Sequence, residues 1–191
     1  MTSSYDTIGR PVGRAEGPAK VTGQAMFPAD VNLPGTLVGK CLRSPFPYAK
    51  IVSINPNSVA VARQVPGVHA VLTADDIPSH LVGRMLRDMP ILARDVVRFA
   101  GQKVVAVAAE NDDIAEEALN LIQIKYEEME PILDPSDSIK PGAPVLHPDF
   151  ADYAGTPDGA QAYPNAAGHG SWSHGDVEQG FSEADLILEH S

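Results

Sequence analysis

The residues that could do chemistry are spread thinly along this chain, and most fail the spacing their chemistry requires. Gly35 to Lys40 has the glycine and lysine of a phosphate loop, but only three residues separate Gly35 from Gly39. Cys41 then stands where a Ser or Thr should ligate magnesium. Gly168, Gly170 and Gly175 miss the dinucleotide-binding spacing and follow no strand-like run. His147, His169, His174 and His190 are widely separated, with no two a helical turn apart, so they read as loop histidines rather than a metal set. Cys41 sits in a strand-like run, and a nucleophilic thiolate would need a base that nothing nearby in sequence supplies. Glu127, Glu128 and Glu130 could include a general acid if one were buried, but three acids so close together read as a solvated rim.

No catalytic, cofactor-binding or metal-ligating residue follows from these tests. Three residues remain as candidates for an interface. Arg43 and Phe46 belong to the stiff segment Arg43 to Tyr48, in which Pro45 and Pro47 limit the backbone. Gln102 follows Gly101, where its amide could meet a ligand or close the turn on backbone groups.

The elements that must position them begin after residues 1–20, a Gly-, Pro- and base-rich stretch expected to form an extended arm. A strand-like series follows at Val21 with Ala25 and Phe27, then at Leu37 to Leu42 and at Ile51 to Ile54. Asn57 is placed to cap a short helix through Arg63, and the apolar run Val68 to Leu72 reads as a strand. Thr73, with Asp75 and Asp76, reads as the cap of a brief helical turn. Residues 78–94 look irregular, and Val96 to Phe99 and Val104 to Ala109 read as two strands joined tightly at Gly101. Asn111 precedes an amphipathic pattern, with Ala115, Ala118, Leu119 and Ile122 on one face, that predicts a helix over about 111–121. Ile122, Ile124 and Tyr126 then alternate as a strand up to about Glu128.

These elements predict an α+β fold, a mixed sheet with packed helices and a long irregular C-terminal excursion. The expected divisions are an arm over 1–20, a core over 21–135, a Pro/Gly-rich excursion over 136–174 and a terminal segment over 175–191, its run Leu186 to Leu188 read as a strand.

Composition narrows the function classes. The net charge of -11 argues against binding to nucleic acid, which needs a basic face. Charge is also segregated: residues 1–110 hold 12 basic and 8 acidic side chains (net +4), and 111–191 hold 2 and 17 (net -15). The single cysteine rules out an internal disulfide and points to the cytoplasm. No export signal or membrane span is expected, since no basic-then-apolar leader and no window approaching 18 apolar residues occurs.

The stretch "IGRPVGRAEGPAKVTGQAMFPADVNLPGTLVGKCLRSPFPYAKI" (Ile8 to Ile51) resembles the start of the molybdenum-binding subunit of the xanthine dehydrogenase and aldehyde oxidase family. The segments "VPGVHAVLTADDIP" (Val65 to Pro78), "VVRFAGQKVVAVAAE" (Val96 to Glu110), "AEEALNLIQIKYEEMEPILDP" (Ala115 to Pro135) and "GDVEQGFSEADLILEHS" (Gly175 to Ser191) resemble successive parts of the same region, in the same order.

That resemblance implies an alpha/beta hammerhead domain, the first part of a longer molybdenum subunit. Enzymes of the family hydroxylate aldehydes, purines or other heterocycles on molybdopterin, with electrons leaving through iron-sulfur clusters and usually FAD. Their base glutamate and most cofactor loops belong to downstream domains, so no catalytic residue carries over. The chain also lacks the four cysteines that an iron-sulfur cluster needs. The expectation is a structural component, not catalytic alone, whose partners are a molybdenum-binding catalytic chain and iron-sulfur and flavin subunits. The other reading is a truncated remnant or a free-standing assembly module.

Overall fold

The computed structural model describes residues 8–9, 11–156, 165–166 and 170–190. The chain opens with a short helix, α1 (Gly17–Val21), which buries nothing and is closed by the Thr22 hydroxyl donating to Pro18 O at 2.7 Å. The arm is therefore not extended throughout, and the strand expected from Val21 is absent. Val21 ends the helix, and Phe27 leads into a 3-10 turn (Pro28–Asp30), where the Asp30 carboxylate accepts the Phe27 N–H at 2.9 Å. Pro28 and Pro34 remove ladder donors just where a strand would need them.

Strands β1 (Val38–Arg43) and β2 (Ala49–Ile54) lead to α2 (Pro56–Arg63), β3 (Val68–Leu72) and a small hairpin of β4 (Leu81–Val82) and β5 (Met89–Pro90). Then come β6 (Val96–Val97), β7 (Lys103–Ala109), α3 (Asp112–Leu121), β8 (Ile124–Glu128), α4 (Pro135–Ser138) and α5 (Val177–Glu183). The first sheet runs β1-β7-β3 and the second β6-β2-β8. Every pairing among the described residues is antiparallel, so two small antiparallel sheets take the place of the one mixed sheet expected from sequence.

Strand β7 is the axis of the first sheet. Val71 of β3 lies opposite its Val107, and Cys41 of β1 lies opposite its Ala106. Helices α2 and α3 pack on each other and against this sheet, burying Val59 and Ala62 of one and Ala115, Ala118 and Leu119 of the other. The small residues let helix and sheet approach closely, which explains why Ala118 stands where a larger apolar residue would be overpacked. Asn111 caps α3, its Oδ1 accepting from Ile114 N at 2.9 Å, as its position before the amphipathic run predicts.

Two local expectations are corrected. Val96–Val97 and Lys103–Ala109 do not form a hairpin; they belong to different sheets, and residues 98–102 make a corner between them. The cap of α2 is Asn55 rather than Asn57, because Asn55 Oδ1 accepts from Asn57 N at 3.0 Å while Pro56 fills the first helical turn. The predicted terminal strand is also absent. Val177–Glu183 is helical, capped by Asp176, and Leu186 to Leu188 pair with no strand among the described residues. In the stretch read as irregular, Leu81 and Val82 pair with Pro90 and Met89. No helix among the described residues is long and apolar enough to cross a membrane.

The cap assignment is open to measurement. Urea unfolding of Asn55→Ala is expected to lose about 1 kcal/mol, and Asn57→Ala to stay within about 0.5 kcal/mol of wild type.

Candidate functional site

The three interface candidates converge on the corner between the two sheets. β1 ends at Arg43, whose Nη1 donates to Gly101 O at 2.9 Å. Ser44 N donates to Gln102 O and Gly101 N to Ser44 O, both at 2.8 Å, so the end of β1 and the corner exchange backbone bonds. Gly101 has φ +90°, a conformation that an L side chain resists. Gln102 is only 5% exposed, and its Oε1 accepts the Arg98 N–H at 2.6 Å. Of the two roles open to this amide in sequence, closure of the turn is the one the geometry shows.

Phe46 is held next to that corner. The Ser44 hydroxyl, in a buried residue, accepts from Phe46 N at 3.0 Å, and the ring lies tilted on Tyr126 of β8 with centroids 5.2 Å apart. Burial raises the Tyr126 phenol above its ordinary value, and its buried hydroxyl has no hydrogen-bond partner among the described residues. Phe46 thus ties the loop after β1 to the second sheet, while Arg43 stays exposed at the surface.

A second feature carried no sequence signal, because its walls come from distant segments. A cleft of about 330 Å³ is lined by His80, Asp88, Arg94, Arg98, Asp149 and Tyr153, among others. Arg94 pairs with Asp75 and donates to Ala74 O. Arg98 Nε donates to Leu146 O at 2.6 Å, which pins the excursion to the core. Behind it, His147 Nδ1 and the Tyr153 hydroxyl are 3.2 Å apart. Burial, and then the Arg98 charge, lower the His147 pKa against a weaker opposing effect of Asp88. Asn165 staples the excursion internally: its Nδ2 donates to Ser138 O and Pro144 O at 2.9 Å, and its Oδ1 accepts from Leu146 N at 2.7 Å. At Gly155, φ +93°, an added Cβ would lie 1.9 Å from Met85 O, so the excursion lies directly against the loop before β5.

The other residues singled out in the sequence stay apart. Cys41 is a free, half-buried thiol in β1. Glu127, Glu128 and Glu130 are exposed. Asp76 accepts from Thr73 N at 2.7 Å and from its hydroxyl at 2.9 Å, bonds that hold the carboxyl below its usual range. His174 stacks on Trp172, and His169 lies outside the described residues. Among the described residues, no group of three His, Cys, Asp or Glu could hold a metal ion.

Residues 22–130 match the family model for the aldehyde oxidase and xanthine dehydrogenase a/b hammerhead domain, and the chain belongs to that family. It is 38% identical to a probable xanthine dehydrogenase subunit of Bacillus subtilis (strain 168), over 93% of this chain and 22% of that protein. It is 32% identical to the nicotinate dehydrogenase large molybdopterin subunit of Eubacterium barkeri, over 99% of this chain and 41% of that subunit. Among solved structures, a Cu,Mo-CO dehydrogenase in its carbon monoxide reduced state is similar at a TM-score of 0.69 and 30% identity, over 93% of this chain and 23% of that one. The chain thus spans 22% to 41% of the length of these relatives, and the likeness runs beyond the hammerhead core on both sides.

Two outcomes follow from the corner and the cleft. Gln102→Leu leaves the Arg98 N–H without its acceptor in a buried turn and is expected to lose about 1–3 kcal/mol in urea unfolding, against less than about 1 kcal/mol for the exposed Arg43→Ala. The lowered His147 pKa means that the docked excursion binds fewer protons than the undocked one. Docking is therefore uncompromised above the ordinary histidine value of 6.5 and weakens as the pH falls below it. Protection factors at 146–156, taken relative to free peptide at the same pH, are expected to fall below about pH 6, and His147→Gln to remove that dependence.

Proposed function

We propose that this chain is the hammerhead component of a molybdopterin-dependent hydroxylase or dehydrogenase acting on aldehydes, purines or related heterocycles, and that it is not catalytic alone. One observation carries the reading. Every buried apolar residue belongs to the core, which still exposes Val52, Val61, Met85, Met89 and Phe99, whereas neither flank buries any among the described residues. Val12, Val21, Met26 and Leu33 are exposed before β1, and Trp172, Phe181, Leu186 and Leu188 are exposed after the excursion. Apolar side chains concentrated in this way mark surfaces that a partner covers.

In this reading the cleft around Arg94 and Arg98 is a poor seat for the cofactor itself. A phosphate-bearing pterin needs uncommitted N–H donors. Arg94 is already paired with Asp75, Arg98 gives its Nε to Leu146 O, and Asp88, Asp95 and Asp149 line the same cleft with negative charge. In this reading molybdopterin belongs to a molybdenum-binding catalytic chain, with the iron-sulfur clusters and FAD on further subunits in the cytoplasm. The hammerhead contributes structure and one wall of the substrate entrance. The names of the relatives support the molybdenum part: one is a large molybdopterin subunit and another a Cu,Mo enzyme.

The test is the molybdenum content of material purified from the native host on a tag fused to Met1, with every co-eluting chain weighed. Near-stoichiometric metal together with catalytic domains is the expected result. A metal-free 20.2 kDa species with no companion would overturn the proposal.

A further inference from the structure

The β4–β5 hairpin and the excursion together wall one side of the cleft, and neither belongs to the core. No residue of 81–91 or 131–156 is buried. The cleft separates this wall from the core: Leu81 and Asp88 line it from the hairpin, Asp149 and Tyr153 from the excursion, and the buried Ala74 and Leu92 from the core side.

The hydrogen bonds of the wall close on one another. Among the described residues, the hairpin bonds only within itself and to the excursion, where Arg87 N donates to Ala154 O at 2.9 Å. Beside that bond, Gly155 leaves no room for a Cβ against Met85 O. The charge of Asp88, in the hairpin, bears on both His147 and Tyr153. Within the excursion, the rings of His147 and Phe150 meet Tyr153 edge-on at 5.7 and 6.1 Å, and the Thr156 hydroxyl donates to Phe150 O at 2.7 Å. Residues 146–156 otherwise bond to Arg87, to Asn165 and, at a single point, to the core. That point is Arg98, whose Nε donates to Leu146 O at 2.6 Å. Its own N–H is held by Gln102 Oε1, so the bond is anchored on the rigid corner.

We infer that hairpin 81–90 and excursion 146–156 form one lid, latched to the core by Arg98, that opens and closes over the cleft as a unit. The inference does not rest on the reading of the chain as an enzyme component. A unit with no buried residue and one hydrogen bond to the core opens far more readily than the core unfolds. Irregular residues 78–80 and 130–134 lead into it and can absorb the change in backbone angles.

The experiment compares wild type, Arg98→Met and Arg87→Pro, each purified from the native host on a tag fused to Met1 and read by hydrogen exchange. Arg98→Met removes the latch without touching the hairpin, and Arg87→Pro removes the N–H that reaches Ala154 from the hairpin side. In both variants the protection factors of 81–90 and 146–156 are expected to fall together, by about tenfold, while β7 and α3 keep theirs. Opening of the cleft is read separately with Ala74→Cys, placed on the wild-type and Arg98→Met backgrounds. Alkylation of that thiol is expected to be about tenfold faster on the second background, while Cys41 in β1 reacts at an unchanged rate.

Loss of protection confined to 146–156 in Arg98→Met, or to 81–90 in Arg87→Pro, would show two independent loops and overturn the inference. Loss that extends to β7 and α3 would make the wall part of the core's own cooperative unit, with the same consequence. Unchanged protection of both segments in Arg98→Met, or an unchanged alkylation rate at Ala74→Cys, would overturn the latch or the cleft as what the lid covers.

Discussion

Strand β7 holds the two layers of this domain together, and it can do so only because the chain turns sharply just before it. Val104 and Val105 are fully buried, and Val107 nearly so, between β1, β3 and helix α3. A strand buried in this way cannot be approached by a loose loop, since every polar group in the approach must be satisfied away from water. Gln102 meets that demand in one residue. Its carbonyl accepts from Ser44 N, its own N–H donates to Phe99 O at 3.2 Å, and its side-chain oxygen takes the Arg98 N–H. Gly101 supplies the backbone conformation that makes the geometry possible. From this corner β6 joins the second sheet, Arg98 reaches the excursion, and Phe46 is placed against Tyr126.

Local chemistry in the sequence anticipated the elements whose signals are local. Asn111 followed by Ala115, Ala118 and Leu119 marks α3 because capping and periodicity agree, and Thr73 with Asp76 marks the 3-10 turn Ala74–Asp76 by capping alone. The failures occur where tertiary context decides. Strands 96–97 and 103–109 are adjacent in sequence and carry hairpin punctuation, yet they pair with β2 and with β1 and β3. Leu186 to Leu188 read as a strand by composition, but an apolar triplet needs a neighbouring strand to become one, and none is present among the described residues. Gln102 was visible as a candidate, but its partner, a backbone N–H four residues back, was not. The cleft was invisible, since its walls come from segments near residues 80, 94, 98 and 150 that only folding brings together.

The same contrast bears on function. Charged and polar groups around the cap and the cleft are engaged in structure: Asp76 with Thr73, Arg94 with Asp75, Arg98 with a carbonyl, and His147 beside Tyr153. Much of the exposed apolar surface lies on the two flanks. Membership of the hammerhead family accounts for that pattern, because the relatives are several times longer than the matched region. The domain completes its own core, and in the proposed reading its flanks serve assembly.

Residue-resolved hydrogen exchange on the free chain and on the assembled enzyme measures that division directly. In the free chain β7 and α3 are expected to exchange slowly, while 11–37 and 170–190 exchange nearly as fast as unstructured peptide, and assembly should protect both flanks with little change in the core. Flanks already protected in the free chain, or still unprotected in the assembly, would contradict the account.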